Sequence, residues 1–331
     1  MSNKKFTKYF KEYKWSNIFA MIRNNKAEPE ICSDSFEGRL VAITGATSGI
    51  GYLTVKKYAS MGAGLLCVNR NRDKSEALKN EIVSEYGVSC DYIIADLSRL
   101  DDIHRAGKEL AMLNKNIDVL IHNAGIYLTR KEKTEDGLEK VFVLQHLSSF
   151  IINYLLMDKL KAQDKARIIL VNSEGHRFAV WGLRLEDLNW EKRRYSGLKS
   201  YGSAKLAQLL SMLVFDDYFR GSGVKINAMH PGAVKTETGQ DNGAVYRWYK
   251  KNILDKSLKS PVMSAEALYY LGVSKEIDNI SGKFFNLTTE EEPTPPALDR
   301  EVAYRLWEKS KSLAGLHDIK TGSDVLSSKY Y

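Results

Sequence analysis

Leu40-Val41-Ala42-Ile43-Thr44-Gly45-Ala46-Thr47-Ser48-Gly49-Ile50-Gly51 decides how this chain is read. A short apolar run enters a turn with three glycines, and a helical pattern follows. A strand that passes into a helix across such a turn points backbone N–H groups at an anion, and the helix dipole adds to the attraction. In that geometry Gly45 supplies the tight turn, Gly49 the close approach to a phosphate, and Gly51 the contact of helix with sheet. Thr44, Ser48 and Ile50 complete the candidate cradle. A glycine pattern by itself describes many loops; its place directly behind a strand favours a dinucleotide site.

Outward from this stretch the apolar runs recur at Leu65–Val68, Tyr92–Ala95, Val119–His122, Ile168–Val171, Val224–Met229 and Gly282–Phe285. Helical patterns fill the gaps, notably Glu139–Leu160 and Ser200–Phe219. Strands alternating with longer helices predict an α/β fold, a Rossmann-type doubly wound parallel sheet. The 331 residues, 44% of them hydrophobic, can bury a large core, and one α/β domain can use this much chain. The expected division is a basic, aromatic-rich N-terminal extension (1–37), a single dinucleotide-binding and catalytic domain (38–285) and a short C-terminal tail (286–331). The tail opens on a turn at Pro293, Pro295 and Pro296 and continues into a short helix.

The net charge of +8 is uneven: residues 1–26 hold seven cations against one acid, or +6, leaving +2 for the rest. The body is nearly balanced, so the high pI does not point to nucleic acid. Within the extension Phe6, Tyr9, Phe10 and Tyr13 recur at helical spacing among lysines, followed by Trp15 and Phe19. Peripheral contact of residues 1–26 with an anionic membrane suits that composition. An arm packed on its own domain or on a partner subunit, or left disordered, suits it as well. No run of 18 apolar residues and no secretory signal pattern is present, so neither a spanning helix nor export is expected. Cys32, Cys67 and Cys90, odd in number and widely spaced, read as reduced thiols of a cytoplasmic protein, and no metal site is expected.

Chemistry enters at Ser200-Tyr201-Gly202-Ser203-Ala204-Lys205. A phenol with a pKa of about 10 is a poor base at neutral pH. A lysine at i+4 shares its helix face and favours the phenolate. Tyr201 is the candidate general acid/base and Lys205 the group that lowers its pKa. After the second strand, where an acid would favour NAD, the chain carries Asn69-Arg70 instead. A guanidinium there suits a 2′-phosphate, which favours NADP(H) with Arg70 as the main contact and Asn69 assisting.

The glycine turn and the Tyr201/Lys205 pair, in this order and separation, resemble the short-chain dehydrogenase/reductase family over roughly residues 38–285. Its members move a hydride between a nicotinamide and a carbonyl or alcohol, which implies a small-molecule substrate of that kind. The resemblance implies further residues. Asp96 and Leu97 fall where the family holds adenine, and Asn123, Ala124 and Gly125 where its Asn-Ala-Gly lies beneath the cofactor. Lys205 would also hold the nicotinamide ribose, and Ser173 would donate to the substrate oxygen. Pro231, Gly232, Val234 and Thr236 would meet the nicotinamide carboxamide, and residues 237–260, with Tyr246, Trp248 and Tyr249, would form a lid. Two departures stand out: Gln145 where the family has a relay Asn, and Asn172 where it has a serine beside Ser173. The long insertion His176–Leu198 and Leu306-Trp307-Glu308-Lys309-Ser310 resemble the retinol dehydrogenase-like and WW-domain oxidoreductase-like branch. That branch implies a lipophilic substrate, with Phe178, Trp181 and Trp190 at the rim. A homodimer through the long helices is a further implication.

Overall fold

The computed structural model describes residues 8–13, 23–24, 27–232 and 260–316. Val234, Thr236 and nearly all of the expected lid, with Tyr246, Trp248 and Tyr249, lie outside the described residues, as do Phe6, Trp15 and Phe19. Eight strands form one sheet: β1 (Leu40–Thr44), β2 (Gly64–Asn69), β3 (Cys90–Ile94), β4 (Val119–His122), β5 (Ala166–Val171), β6 (Val224–His230), β7 (Phe284–Asn286) and β8 (Thr289–Glu291). Their order is β3-β2-β1-β4-β5-β6-β7-β8, parallel throughout except for β8. The helices are α1 (Gly49–Ser60), α2 (Arg72–Tyr86), α3 (Leu100–Ala111), α4 (Lys140–Lys161), α5 (Gly197–Phe219), α6 (Pro261–Val273) and α7 (Arg300–Leu313).

Both sheet faces are covered, which is why the strands read as unbroken apolar runs. Alternate residues feed two cores. Ala42, Leu120, Ile168 and Leu170 pack under α3, α4, α5 and α7, whereas Val41, Ile43, Ile121 and Ile169 pack under α1, α2 and α6. Local chemistry ends the helices where expected. Asn71 caps α2 by accepting from Lys74 N, and Gly87 closes it in the left-handed region. Pro261 opens α6 behind the Ser260 cap. By length and composition α4 could cross a membrane, but it is mostly buried inside the domain.

The sheet runs on past Phe285. A two-residue connection, Leu287-Thr288, returns the chain antiparallel into β8, with Leu287 at φ 54°. Neither residue is the Asn-Gly or Asp-Gly that marks such hairpins, so the turn leaves no trace in the sequence. α7 then packs on α5. Trp307 meets Phe215 at 4.7 Å and Phe150 at 5.0 Å between ring centroids. This covers the long helices through which a homodimer is implied. Trp307→Ala is expected to cost about 3–5 kcal/mol of stability in urea unfolding.

The extension, where described, packs on its own domain. Tyr9 is buried and donates to Asp299, which also pairs with Lys8, each at 2.6 Å. Tyr13 donates to the Val180 carbonyl at 3.1 Å. Two of the aromatics expected on a membrane-facing stripe are therefore turned to the protein.

Candidate active site

The candidate residues gather at the carboxyl ends of the parallel strands, where open α/β sheets bind their ligands. The glycine turn follows β1. Gly45 adopts φ 71°, and a Cβ there would stand 3.0 Å from Ala124 Cα; one on Gly51 would stand 2.1 Å from the Gly45 carbonyl. These two glycines are demanded by packing. A Cβ on Gly49, at φ 57°, would meet nothing within 4 Å, so its backbone faces open space. Ser48 occupies the N-cap of α1 without making a capping bond, and the first turn carries no acid. The leading N–H groups of this helix thus keep their capacity for an anion.

Several expected cofactor residues act as braces. Thr44 Oγ1 accepts from the N–H groups of Asn123 and Ala124, each at 3.0 Å. Asn123 Nδ2 donates to the Gly45 carbonyl at 2.8 Å. Asn69 Oδ1 accepts from Ala46 N at 2.8 Å, while its Nδ2 is buried without a partner. Arg70, the next residue, is exposed. Asp96 Oδ1 accepts from Ser98 N and Oγ, and Leu97 is buried beside it. After β6, Pro231 O accepts from Ser264 Oγ at 2.6 Å, and Gly232 takes φ 78°. His122 Nε2 donates to Asn153 Oδ1 at 2.7 Å, and burial pushes its pKa down to about 4. It is a packed histidine.

Ser173, Tyr201 and Lys205 lie together beyond β5 and along the first turns of α5. Burial raises the Tyr201 pKa, and the Ser173 hydroxyl, hydrogen-bonded to the phenol, pulls it back. Gly175 leaves the phenol its room: a Cβ there would stand 2.6 Å from Tyr201 Cε1. Lys205 Nζ lies 5.9 Å from the Tyr201 ring centroid and donates to the Val171 carbonyl at 2.7 Å. Burial lowers Lys205 to about 7. The downward pull on the phenol comes from the Ser173 hydroxyl, and the Lys205 amine beside it is itself desolvated.

That buried amine yields a stability prediction. Its folded pKa lies below the unfolded value of about 10.4. Between those values the unfolded chain binds the extra proton, so stability rises with pH there. The penalty is fully present below about pH 7 and fades as pH climbs toward 10. Lys205→Met is thus expected to be the more stable protein near pH 6, by on the order of 3 kcal/mol. Urea unfolding across pH should show that advantage shrinking by pH 10.

The two departures have different outcomes. Asn172 is a cross-link: Nδ2 donates to Lys205 O (3.0 Å) and Gln208 Oε1 (2.8 Å), and Oδ1 accepts from Ser173 N (2.8 Å). It fastens β5 to the catalytic helix. Gln145 sits in a π-helical turn, Val143–Leu147, within α4, a feature frequent at functional sites. Its Nε2 donates to Ile126 O at 2.7 Å, whereas Oε1 is buried without a partner. A Cβ on Gly125 would stand 2.7 Å from that oxygen.

At the rim Phe178 and Trp181 are 48% and 44% exposed, but Trp190 is only 4% exposed. Trp190 carries the Arg193 guanidinium over its ring at 3.6 Å and meets Tyr195 edge-on at 5.6 Å, so it is a structural residue rather than a rim aromatic. Glu139 is a site neighbour that no sequence motif marks. It is fully buried, caps α4 through Phe142 N at 2.7 Å, and accepts from Tyr195 at 3.2 Å. A Ser/Thr-based cap search misses an acid in that place. Tyr127, edge-on to Tyr201 at 5.7 Å, was likewise unmarked.

Residues 39–183 match the family model of short chain dehydrogenases. The chain is 35% identical to human retinol dehydrogenase 13, covering 84% of this chain and 85% of that protein. It is 31% identical to the WW domain-containing oxidoreductase of Drosophila melanogaster, over 83% of this chain and 68% of that one. A Mycobacterium paratuberculosis protein of solved structure, described as putative and uncharacterized, superposes with a TM-score of 0.66 at 28% identity, covering 85% of this chain and 95% of its own. Sequence, fold and site agree: the chain belongs to the short-chain dehydrogenase/reductase family, in its retinol dehydrogenase-like branch.

Proposed function

We propose that the chain is an NADP(H)-dependent oxidoreductase that interconverts a carbonyl and an alcohol on a small, lipophilic substrate. The observation that carries this reading is the Tyr201 hydroxyl, held by Ser173 with Lys205 one helical turn on, at the strand ends that also carry the glycine turn. The pocket residues fit a dinucleotide: an uncapped helix N-terminus, open space over Gly49, an unpartnered Asn69 Nδ2 and an exposed Arg70. The nicotinamide supplies or accepts the hydride when bound.

The protein's own groups handle the proton and the position of the substrate. Ser173 and Tyr201 would both hydrogen-bond the substrate oxygen, with Tyr201 giving up its proton as an alkoxide develops and regaining it in the reverse direction. Lys205 would hold the ribose hydroxyls, which restores partners to its desolvated amine. Arg70 would meet the 2′-phosphate, with Asn69 fixing the turn beside it. Phe178 and Trp181 support an apolar substrate. Buried thiols suit the cytoplasm, and a membrane contact of residues 1–26 would not use Tyr9 and Tyr13, which face the domain.

One observation favours a second reading, an NADP(H)-binding sensor or scaffold with little turnover. Gln145 donates one amide N–H to Ile126 O and encloses its oxygen, an arrangement that supports a brace rather than a water relay. NADPH consumption with medium-chain, aromatic, retinoid and steroid carbonyls separates the two. Turnover supports the reductase; binding without turnover on the whole panel supports the sensor.

A further inference from the structure

The N–H, the carbonyl and an Oγ lone pair of Ser173 are engaged by its neighbours, which leaves the hydroxyl hydrogen for the Tyr201 phenol. Its N–H donates to Asn172 Oδ1 at 2.8 Å, and its Oγ accepts from Gly175 N at 3.0 Å. Its carbonyl accepts twice from His176, from the backbone N–H at 3.1 Å and from Nδ1 at 2.8 Å. The tautomer of His176 follows from its second partner. Thr294 N–H points at Nε2 from 3.3 Å, and a backbone amide can only donate, so Nε2 is the acceptor and Nδ1 carries the proton. The ring is fully buried and lies edge-on to Phe284 of β7 at 5.0 Å. Desolvation and the charge on Arg177 hold it neutral, with a pKa of about 3.

We propose that His176 is a positioning residue for Ser173, its Nδ1–H fixing the serine carbonyl so that the hydroxyl stays aimed at Tyr201, and its Nε2 anchoring that turn to the segment after β8. The proposal rests on Ser173 as the donor to the substrate oxygen. β5 ends at Val171, so the backbone of Ser173 has no strand partner to orient it. The histidine supplies that constraint from β7 and the tail. β7 and β8 thereby gain a role in aiming a group on the other side of β6.

The test uses the two amides that mimic one ring nitrogen each. Asn places an N–H near Nδ1, and Gln reaches the Nε2 position. With NADPH and the carbonyl panel, His176→Asn, which keeps an N–H near Nδ1 and gives up the Nε2 anchor, is expected to lose kcat only severalfold. His176→Gln is expected to lose roughly 10- to 100-fold in kcat with the KM for NADPH unchanged. In a Ser173→Ala background His176→Gln should cost nothing further, because the two act as one unit. Equal losses for Asn and Gln, or a Gln cost that persists without the serine hydroxyl, overturns the proposal and leaves the reductase reading standing. Absence of turnover by the parent on the whole panel sinks both. If His176→Gln does not fold, Thr294→Pro removes the N–H that meets Nε2, together with a buried hydroxyl that has no partner, at a φ of −62° that proline adopts. A severalfold loss of kcat there supports the anchor, and an unchanged kcat overturns it.

Discussion

Tyr201→Phe is expected to lower kcat by roughly 10²–10⁴-fold, the range for removing a positioned general acid or base. NADPH affinity should stay within about threefold. The phenyl ring keeps its place, since it fills the space left by Gly175 and meets Tyr127 edge-on at 5.7 Å. Only the hydroxyl is lost, and with it the partner of Ser173 and the proton for the substrate oxygen. A proper comparison follows NADPH absorbance under saturating carbonyl, with cofactor titration by fluorescence alongside. Wild-type rates in the variant would remove Tyr201 from the chemistry. A parallel collapse of NADPH binding would mean that the ring, rather than the hydroxyl, is what matters.

Arg70→Ala is expected to weaken NADPH by about ten- to a hundredfold while changing NADH by less than about threefold. Charge-assisted hydrogen bonds contribute roughly 1.5–3 kcal/mol each, and 1.4 kcal/mol is tenfold in affinity. The difference arises because only NADPH carries the 2′-phosphate. Arg70 stands at the end of β2, directly after Asn69, whose side-chain Oδ1 is committed to the glycine turn. Calorimetric titration of both cofactors would decide the matter. Equal weakening of the two would show that Arg70 acts on the fold or on the pyrophosphate, and no change in either would return the choice between NADP and NAD to other residues.

The glycine turn and the Tyr201/Lys205 pair were legible because each is a local pattern with a local cause. Gly45 and Gly51 are required by contacts of 3.0 and 2.1 Å, and a four-residue spacing on a helix needs no tertiary knowledge. Strand positions were legible because buried parallel strands are apolar throughout, though β3 begins at Cys90, two residues before the apolar run suggests. What depends on distant partners was not. β8 reads as polar Thr289-Glu290-Glu291 and pairs through a hairpin without glycine. The π turn at Gln145 hides in an ordinary helical pattern, and the desolvation of Lys205 follows from packing that its local sequence does not carry. Trp190 looked like a rim aromatic until Arg193 was found stacked on it. The roles of His176 and Glu139 arise from segments up to 118 residues away in the chain.

The central claim is that this chain passes a hydride from NADPH to a carbonyl carbon while Tyr201 supplies the proton. The most direct measurement incubates the protein with NADPH deuterated at C4 of the nicotinamide and the carbonyl panel, then reads the alcohol by mass spectrometry. The account predicts an alcohol carrying deuterium on the carbinol carbon, formed by the parent protein and absent with Tyr201→Phe. Bound NADPH with no labelled alcohol from any carbonyl, or equal labelling by the Tyr201→Phe protein, would contradict it.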